Sequence, residues 1–205
     1  MTTAELKNIT ANFSEIKTLI ERQNDLSRQT NKVRRRLKTQ IDKYSFLADL
    51  IGIDSNGDRL VNALVDFFKA LGFDKIENVD KKYKEEDIRL WVDDVLLVIE
   101  ITGIDNANPK DSKVHQISKH IPRRQAKFQN KKVFGVFIVN HDNKKHFSKR
   151  EKKPFRKDIC EIAESHNYTI TTTVDLLNAF LHFKNGTLTQ KDIVDKLCLK
   201  GELKI

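Results

Sequence analysis

Apolar and polar positions alternate along the chain in patterns that predict helix in the first quarter and a sheet beyond it. Residues 4 to about 48 contain neither Gly nor Pro, so they are predicted to form one long helix or a helical pair. Apolar and a few polar residues recur there at alternating spacings of four and three, which is a heptad seam. An earlier seam is offset by one residue, so the repeat stutters. The main seam comprises Leu19, Gln23, Leu26, Thr30, Val33, Leu37, Gln40, Tyr44 and Leu47, and the earlier one Ile9, Phe13, Ile16 and Ile20.

This apolar stripe has to be covered, because a long apolar face is unfavourable in water. Two arrangements remain open at this stage. The helix folds back on the rest of the chain, or it pairs with a second copy as a coiled coil. Polar residues at Gln23, Thr30 and Gln40 weaken the seam in either case.

After a loop at 51–58, the pattern changes to that of an α/β domain. An amphipathic helix is predicted to begin with Asp58 as its N-cap and to stop at Gly72. Short strands are then predicted at 75–79 and, with half-buried alternation, at 87–92. A tight turn at Asp93-Asp94 leads to a continuous apolar strand over 95–102, typical of a sheet centre covered on both faces.

The remaining elements alternate between helix and strand. A helix over 112–130 is interrupted at Pro122, and a second apolar strand spans 133–141. The later predictions are a helix that opens with Pro154, a strand over 168–173, a helix ended by Gly186 and a short helix capped by Thr189. The order predicts a mixed β-sheet flanked by helices, preceded by the long N-terminal helix. The corresponding domains are an N-terminal helical or coiled-coil segment at 1–50 and an α/β domain at 57–205.

Composition narrows the class of protein. The chain has 205 residues, 39% of them hydrophobic and 33% charged, which suits one domain with an appendage. Cys160 and Cys198 are too few for a disulfide framework and lack metal-site spacing, so we expect a reducing, cytoplasmic setting. No apolar run approaches a membrane span, and residues 1–10 lack the shape of a signal peptide. The motifs of nucleotide-binding loops and of zinc hydrolases are absent from the sequence.

The net charge of +9 predicts an anionic partner, with nucleic acid first and an acidic protein second. The cations cluster at 31–38, 123–132 and 143–157. The last cluster follows a core strand, so it should emerge at one edge of the sheet. We predict that a phosphate-binding rim comprises Arg123, Arg124, Lys144, Lys145, Lys149 and Arg150.

Two acids interrupt the apolar strands and carry the candidate chemistry. Asp87 stands at the start of one strand and Glu100 near the end of its hairpin partner. Because the turn folds the strands antiparallel, the two carboxylates should converge at one end of the hairpin. Such a pair suits a hard divalent cation, which can orient phosphate and activate water. The alternative is a structural ion pair with Arg or Lys, since an unpaired buried carboxylate is costly.

These residues resemble the PD-(D/E)xK superfamily of restriction-endonuclease-like nucleases over residues 57–205. The resemblance rests on Asp87 and on Glu100-Ile101-Thr102-Gly103, set among the helix ending KALGF, Gln116-Ile117, VFGVFIVNH and ITTTVDLLNAF. It implies that Asp87, Glu100 and the backbone carbonyl of Ile101 bind Mg²⁺ or Mn²⁺. It also implies that Gln116 is an accessory residue of the catalytic site.

Two departures from that pattern bear on activity. Thr102 stands where the motif usually has lysine, and the first helix offers only Val61 and Asn62 where a glutamate often faces the metal. Lys113, one helical turn before Gln116, is a candidate substitute for the lysine.

The leading hypothesis is therefore a metal-dependent nuclease that acts on DNA, in a defence or repair setting, with a homodimer formed through the N-terminal helix. One alternative is a catalytically degenerate nuclease fold that binds nucleic acid or assembles partners. A second is a coiled-coil interaction protein whose basic surface docks an acidic partner.

Overall fold

The computed structural model describes residues 2–79, 86–106 and 108–203, apart from the side chains of residues 6–11. Ile9 of the earlier seam thus lies outside the described side chains. The chain divides into two compact units, residues 1–45 and residues 46–205.

The first unit is one helix, α1, which runs over Thr3–Lys43. Its start is fixed by a capping box, in which the Thr2 side chain accepts from the Glu5 amide and Glu5 accepts from the Thr2 amide. Within α1 the described large apolar side chains of the two seams are 51–67% exposed, as is Ile41, which flanks the main seam. Leu47, the last residue of the predicted seam, lies beyond α1 and is half-buried. The exposed set comprises Phe13, Ile16, Leu19, Ile20, Leu26, Val33, Leu37 and Ile41.

The second unit holds the sheet and the remaining helices. Its helices are α2 (Phe46–Leu50), α3 (Gly57–Ala70), α4 (Asp111–Lys127), α5 (Lys157–Ser165), α6 (Thr173–Lys184) and α7 (Gln190–Leu197). A 3₁₀ turn spans Phe147–Lys149. Its strands are β1 (Ile76–Asn78), β2 (Ile88–Val92), β3 (Val95–Gly103), β4 (Lys132–Asn140), β5 (Tyr168–Thr172) and β6 (Gly201–Glu202).

The strands form one mixed sheet in sequence order, β1-β2-β3-β4-β5-β6. The pairs β1–β2 and β2–β3 are antiparallel, whereas β3 to β6 pair in parallel. The parallel half needs crossovers, which α4, α5 and α6–α7 supply. The predicted mixed α/β sheet is therefore confirmed.

Helices cover both faces of the sheet, which explains why β3 and β4 are continuously apolar. On one face α3 and α6 meet, with the Phe67 and Phe180 ring centroids 5.8 Å apart. On the other face Val114 and Ile117 of α4 and Ile159 of α5 share a buried cluster with Leu96, Val98, Phe137 and Val139. Side chains alternate along a strand, so the residues that follow Leu96 and Val98 on that second face are Glu100 and Thr102.

Four local predictions were wrong. The helix predicted to open with Pro154 begins only at Lys157, because Pro154 and Phe155 are buried in the segment before it. Pro122 does not interrupt its helix, because α4 runs unbroken over Asp111–Lys127 and is held by packing against the sheet. The N-cap of α3 is Asn56 and not Asp58. The strand β2 is not half-buried, since Arg89 is buried and paired with Glu86.

Other turns and caps agree with the sequence. Asp93 takes φ 47° in the turn between β2 and β3. Thr189 caps α7 in a capping box with Asp192. The short strand β6 at the sheet edge was not predicted. Within the described ranges, no helix is long and apolar enough to span a membrane.

Candidate functional site

The β2–β3 hairpin brings Asp87 and Glu100 to neighbouring positions. Ile88 pairs with Ile99 in the antiparallel register, so the next pair outward is Asp87 and Glu100. The Asp87 amide donates to the Ile99 carbonyl at 3.1 Å, and its Oδ2 accepts from the Ile101 amide at 2.6 Å. At the end of the hairpin the Asp87 side chain, and not a backbone carbonyl, accepts the hydrogen bond from the Ile101 amide. The backbone of β3, the strand that carries Glu100, thus orients the Asp87 carboxylate.

Glu100 is a nearly buried carboxylate, 8% exposed, and it faces helix α4. Its Oε1 lies 3.1 Å from Nε2 of His120. This contact gives one carboxylate oxygen a polar partner, which lowers the cost of placing the acid on a core strand. The expected Arg or Lys partner of a structural pair is thus replaced by a histidine.

A second buried acid, Glu86, lies beside this pair and is fully inaccessible. Arg124 donates to both of its oxygens, Nε to Oε1 at 2.6 Å and Nη2 to Oε2 at 2.8 Å, and Arg89 Nε donates to Oε1 at 2.5 Å. Burial raises the pKa of Glu86, but the hydrogen bonds from Arg124 and Arg89 outweigh it and hold the pKa below its ordinary value. Glu86 is consequently ionised and serves to fix two arginines inside the domain.

His120 connects the two acids. Its Nδ1 lies 3.7 Å from Oε2 of Glu86, too far for a hydrogen bond, and this buried atom has no hydrogen-bond partner in the structure. The imidazole thus contacts Glu100 on one side and faces Glu86 on the other. The row Glu86–His120–Glu100 ties α4 to the base of the hairpin.

The donor set fits a hard divalent cation that retains water. Asp87 and Glu100 supply carboxylate oxygens, which Mg²⁺ and Mn²⁺ prefer, and one or two carboxylates suffice for such an ion. In the part of the chain that the structure describes, no group of three or more His, Cys, Asp or Glu residues is arranged to hold a metal. A closed site built wholly from protein side chains, of the kind that structural Zn²⁺ occupies, therefore does not fit these residues.

The other predicted catalytic residues lie on the same two elements. Thr102 is half-buried on β3, two residues beyond Glu100 on the same face. Lys113 and Gln116 are exposed in the first two turns of α4, and His120 follows Gln116 by one turn. Among the described contacts, none joins Lys113 or Gln116 to Asp87 or Glu100.

The predicted phosphate rim divides into two groups. Arg124 is held by Glu86, and Arg150 is buried, donating to the Asn140 side chain and to the Ile51 carbonyl at 2.7 Å. The phosphate-contact role does not fit these two, because their guanidinium groups are used inside the domain. The other four are exposed, namely Arg123, Lys144, Lys145 and Lys149.

Two of those exposed cations carry acidic partners. Lys144 pairs with Asp54, and Lys145 Nζ lies 3.1 Å from Asp142 Oδ1. The pair of Lys144 with Asp54 lies on the surface, where such pairs are weak, so Lys144 can still bind phosphate. Asp142, by contrast, is buried, so Lys145 also serves to partner an enclosed carboxylate. Within the described residues no contact joins Arg123 to the loop that carries the three lysines.

Asn140, the last residue of β4, fixes the ends of that basic loop. Its Nδ2 donates to the Ser55 carbonyl at 2.8 Å, and its Oδ1 accepts from Arg150 and, at 3.0 Å, from Thr173 Oγ1. One buried amide thus holds the loop before α3, the end of the basic loop and the start of α6.

Sequence reasoning missed Glu86 and His120. The available signal was a row of polar residues spaced by four on α4, Gln116, His120 and Arg124, beside the buried positions Val114 and Ile117. Polar residues so placed on an inward-facing turn need partners, and Glu86 is the acid next to Asp87.

Two solved structures share this architecture at low sequence identity. The restriction endonuclease FokI matches 78% of this chain with a TM-score of 0.55 and 12% identity, and FokI bound to DNA matches 80% with a TM-score of 0.57 and 13% identity. The fold is restriction-endonuclease-like. The chain spans only 30% of the length of each FokI chain. No protein-family model matches the sequence, and no curated protein does either.

The hydrogen bonds that Arg124 and Arg89 donate to the buried Glu86 should contribute measurably to stability. Arg124→Met keeps the volume of the side chain but leaves Glu86 with Arg89 as its remaining hydrogen-bonded arginine. We expect the free energy of unfolding at pH 7 to fall by about 3 kcal/mol, the low end of the cost of breaking a buried pair. Urea unfolding followed by circular dichroism measures it. Arg123→Met, on the exposed side of α4, should change stability by less than about 0.5 kcal/mol.

The pH dependence gives an independent check of this network. The pKa of Glu86 is depressed on folding, so its contribution to stability is present above the ordinary carboxyl pKa and is lost as the pH falls through the folded value. In Arg124→Met the effect of burial on Glu86 is less opposed, so the pKa of Glu86 is higher than in the wild type. The stability gap between wild type and Arg124→Met should therefore narrow as the pH is lowered towards 4. A gap that stays constant over that range contradicts this assignment.

Proposed function

We propose that the protein hydrolyses DNA phosphodiester bonds with the help of Mg²⁺ or Mn²⁺. The observation that carries the proposal is the adjacency of Asp87 and Glu100 at the open end of the hairpin, with Asp87 Oδ2 held by the Ile101 amide at 2.6 Å. The restriction-endonuclease-like fold supports the same reaction class, and one of its structural neighbours, FokI, is bound to DNA.

Asp87, Glu100 and the Ile101 carbonyl are the groups that would hold the ion. When bound, such an ion stabilises charge on the phosphate and makes water a better nucleophile. The protein's own part is to orient the ligands, since the Ile101 amide fixes Asp87 and His120 fixes one oxygen of Glu100. Lys113 and Gln116 are proposed to contact the phosphate from the start of α4.

Thr102 sets the expected rate. A hydroxyl group can donate a hydrogen bond to a developing charge, but it supplies no positive charge where the motif usually has lysine. Loss of one such stabilising group costs a factor of about a hundred to a thousand, so we propose a slow enzyme.

A catalytically degenerate fold that binds DNA is the second candidate. Two observations favour it, namely Thr102 and the contact between His120 and Glu100, which partners the acid without any metal. A reducing, cytoplasmic setting is proposed for either function. Within the described residues, no disulfide joins Cys160 to Cys198.

Divalent cations should stabilise the fold, because only the native state brings Asp87 and Glu100 together. We expect Mn²⁺ to raise the melting temperature of the wild type and not that of Asp87→Asn or Glu100→Gln, measured by thermal unfolding and calorimetry. On a mixed panel of nucleic acids, the wild type should cleave DNA weakly with a preference for Mn²⁺. Both variants should be inactive, and Thr102→Lys should raise the rate.

Asp94→Asn is the matched control, since Asp94 is an exposed acid at the opposite end of the same hairpin. It should keep both the cation effect and the cleavage. Absence of divalent binding together with absence of cleavage in the wild type would rule out the nuclease and leave the degenerate fold.

The exposed lysines of the predicted phosphate rim should make the affinity for DNA depend on salt concentration. Lys144→Gln with Lys149→Gln removes two cations from the loop after β4. It leaves the buried Arg150 and the Lys145 partner of the buried Asp142 in place. If Lys144 and Lys149 each contact one phosphate, the slope of log affinity against log salt should flatten by roughly two units. Lys191→Gln with Lys196→Gln, on α7, gives the same change of charge and should leave the slope nearly unchanged. If the affinity for DNA does not depend on salt concentration, the lysines do not contact phosphate and a protein partner is favoured instead.

We also propose that α1 pairs with a second copy of itself. The support is its apolar seam, whose large side chains are more than half exposed. Light scattering should give twice the 23.8 kDa chain mass, and Leu26→Asn with Val33→Asn should reduce it to one chain. Asp25→Asn with Lys32→Asn, off the seam and neutral in net charge, should stay dimeric. A monomeric wild type at high micromolar concentration excludes this arrangement.

A further inference from the structure

Helix α1 carries a second ordered feature besides its apolar seam. Arg28, Lys32, Arg35 and Arg36 line one face of the helix together with Asn31, and all are exposed. We call the four cations the basic face. They were not part of the predicted phosphate rim.

The basic face lies opposite the seam. At 3.6 residues per turn, Arg28, Lys32 and Arg35 fall within about 60° of one another around the helix axis. Leu26, Val33 and Leu37 point to the other side by the same count. In a helix pair formed through the seam, the basic face would point outward, so pairing would leave it accessible.

Acids are scarce beside these charges, and Asp25, three residues before Arg28, already accepts from the Gln29 side chain at 2.7 Å. Between Asp25 and Asp42 the sequence has no Asp or Glu but six cations, counting Arg34 and Lys38. Like charges four residues apart, such as Arg28 with Lys32 and Lys32 with Arg36, destabilise a helix. Among the described residues no ion pair includes a member of the basic face. An anionic ligand would therefore reduce the repulsion among its four cations.

We propose that the basic face of α1 binds the phosphate backbone of DNA, as a contact surface separate from the Asp87–Glu100 site. This rests on the proposed function only in taking DNA as the ligand of both surfaces. A regular row of cations along one helix is the footprint that a phosphate backbone selects. Arginine dominates the row, and its planar fork of donors matches the oxygens of phosphate.

An anionic lipid surface is the competing ligand, because a helix in a membrane interface also carries Lys and Arg on the face opposite its apolar residues. Pairing of α1 through the seam favours DNA. It would cover the apolar face that a lipid surface needs and leave the cations exposed.

The test compares two triple variants of the full chain with the same change of charge. The first replaces the basic face, with Arg28→Gln, Lys32→Gln and Arg35→Gln. The control replaces cations of α1 that point away from it, with Arg22→Gln, Arg34→Gln and Lys38→Gln. Glutamine keeps helix propensity, and circular dichroism checks that both variants remain helical.

Affinity for a DNA duplex is measured by fluorescence anisotropy over a range of salt concentrations, with chelator present so that no cleavage occurs. Each phosphate contact contributes about 0.9 to the slope of log affinity against log salt. The basic-face variant should therefore lose between two and three units of slope, and the control less than one. Vesicles containing phosphatidylserine serve as the competing anionic surface.

Three outcomes overturn the inference. They are equal slopes for the wild type and the basic-face variant, equal losses in both triple variants, and binding to the vesicles in preference to DNA. The measurement is independent of catalysis, because it is repeated in the Asp87→Asn protein. If the Asp87→Asn protein binds DNA with the expected slopes while the wild type cleaves nothing, DNA binding by the basic face is supported. Only the nuclease proposal is then contradicted.

Discussion

The site depends on a buried charge that must stay paired. Glu86 is fully enclosed, and the donors of Arg124 and Arg89 make its ionised form favourable there. Arg124 comes from α4 and Arg89 from β2, so the pairing requires these two elements to meet at a fixed distance. Asp87 follows Glu86 directly in the chain and is thereby set against the backbone of β3. His120, one turn before Arg124, is brought against Glu100 by the same constraint. The geometry of the two candidate ligands is thus a consequence of a neighbouring acid that is not itself one of them.

Much of this architecture could be predicted because periodicity in the sequence reports burial directly. The continuous apolar runs of β3 and β4 identify strands covered on both faces, and the turn at Asp93-Asp94 sets the register that makes Asp87 and Glu100 neighbours. That register follows from local residues alone. The predicted α/β class therefore agrees with the restriction-endonuclease-like fold.

Side-chain partners could not be predicted in the same way. Arg124 and Arg150 look like surface cations in a basic run, and only the packing of α4 and of the loop after β4 buries them. Pro122 similarly suggests a break that packing overrides, since α4 is held by the sheet on both sides of it. A charge pattern gives the number of cations, whereas tertiary contacts decide which of them remain available to a ligand.

The amide of Asn140 has a consequence for how this domain can vary. It bonds at once to the segment before α3, to Arg150 and to Thr173, so both ends of the basic loop are pinned to the sheet by one residue. The stretch between these anchors begins with three buried residues, His141, Asp142 and Asn143. The amides of Asp142 and Asn143 donate at 3.0 Å to carbonyls of the segment that follows β3. Only the later part, residues 144–149, is largely exposed, so its length and charge can change without moving the sheet or the hairpin. Diversification of ligand preference in this part of the molecule is therefore structurally uncoupled from the carboxylates.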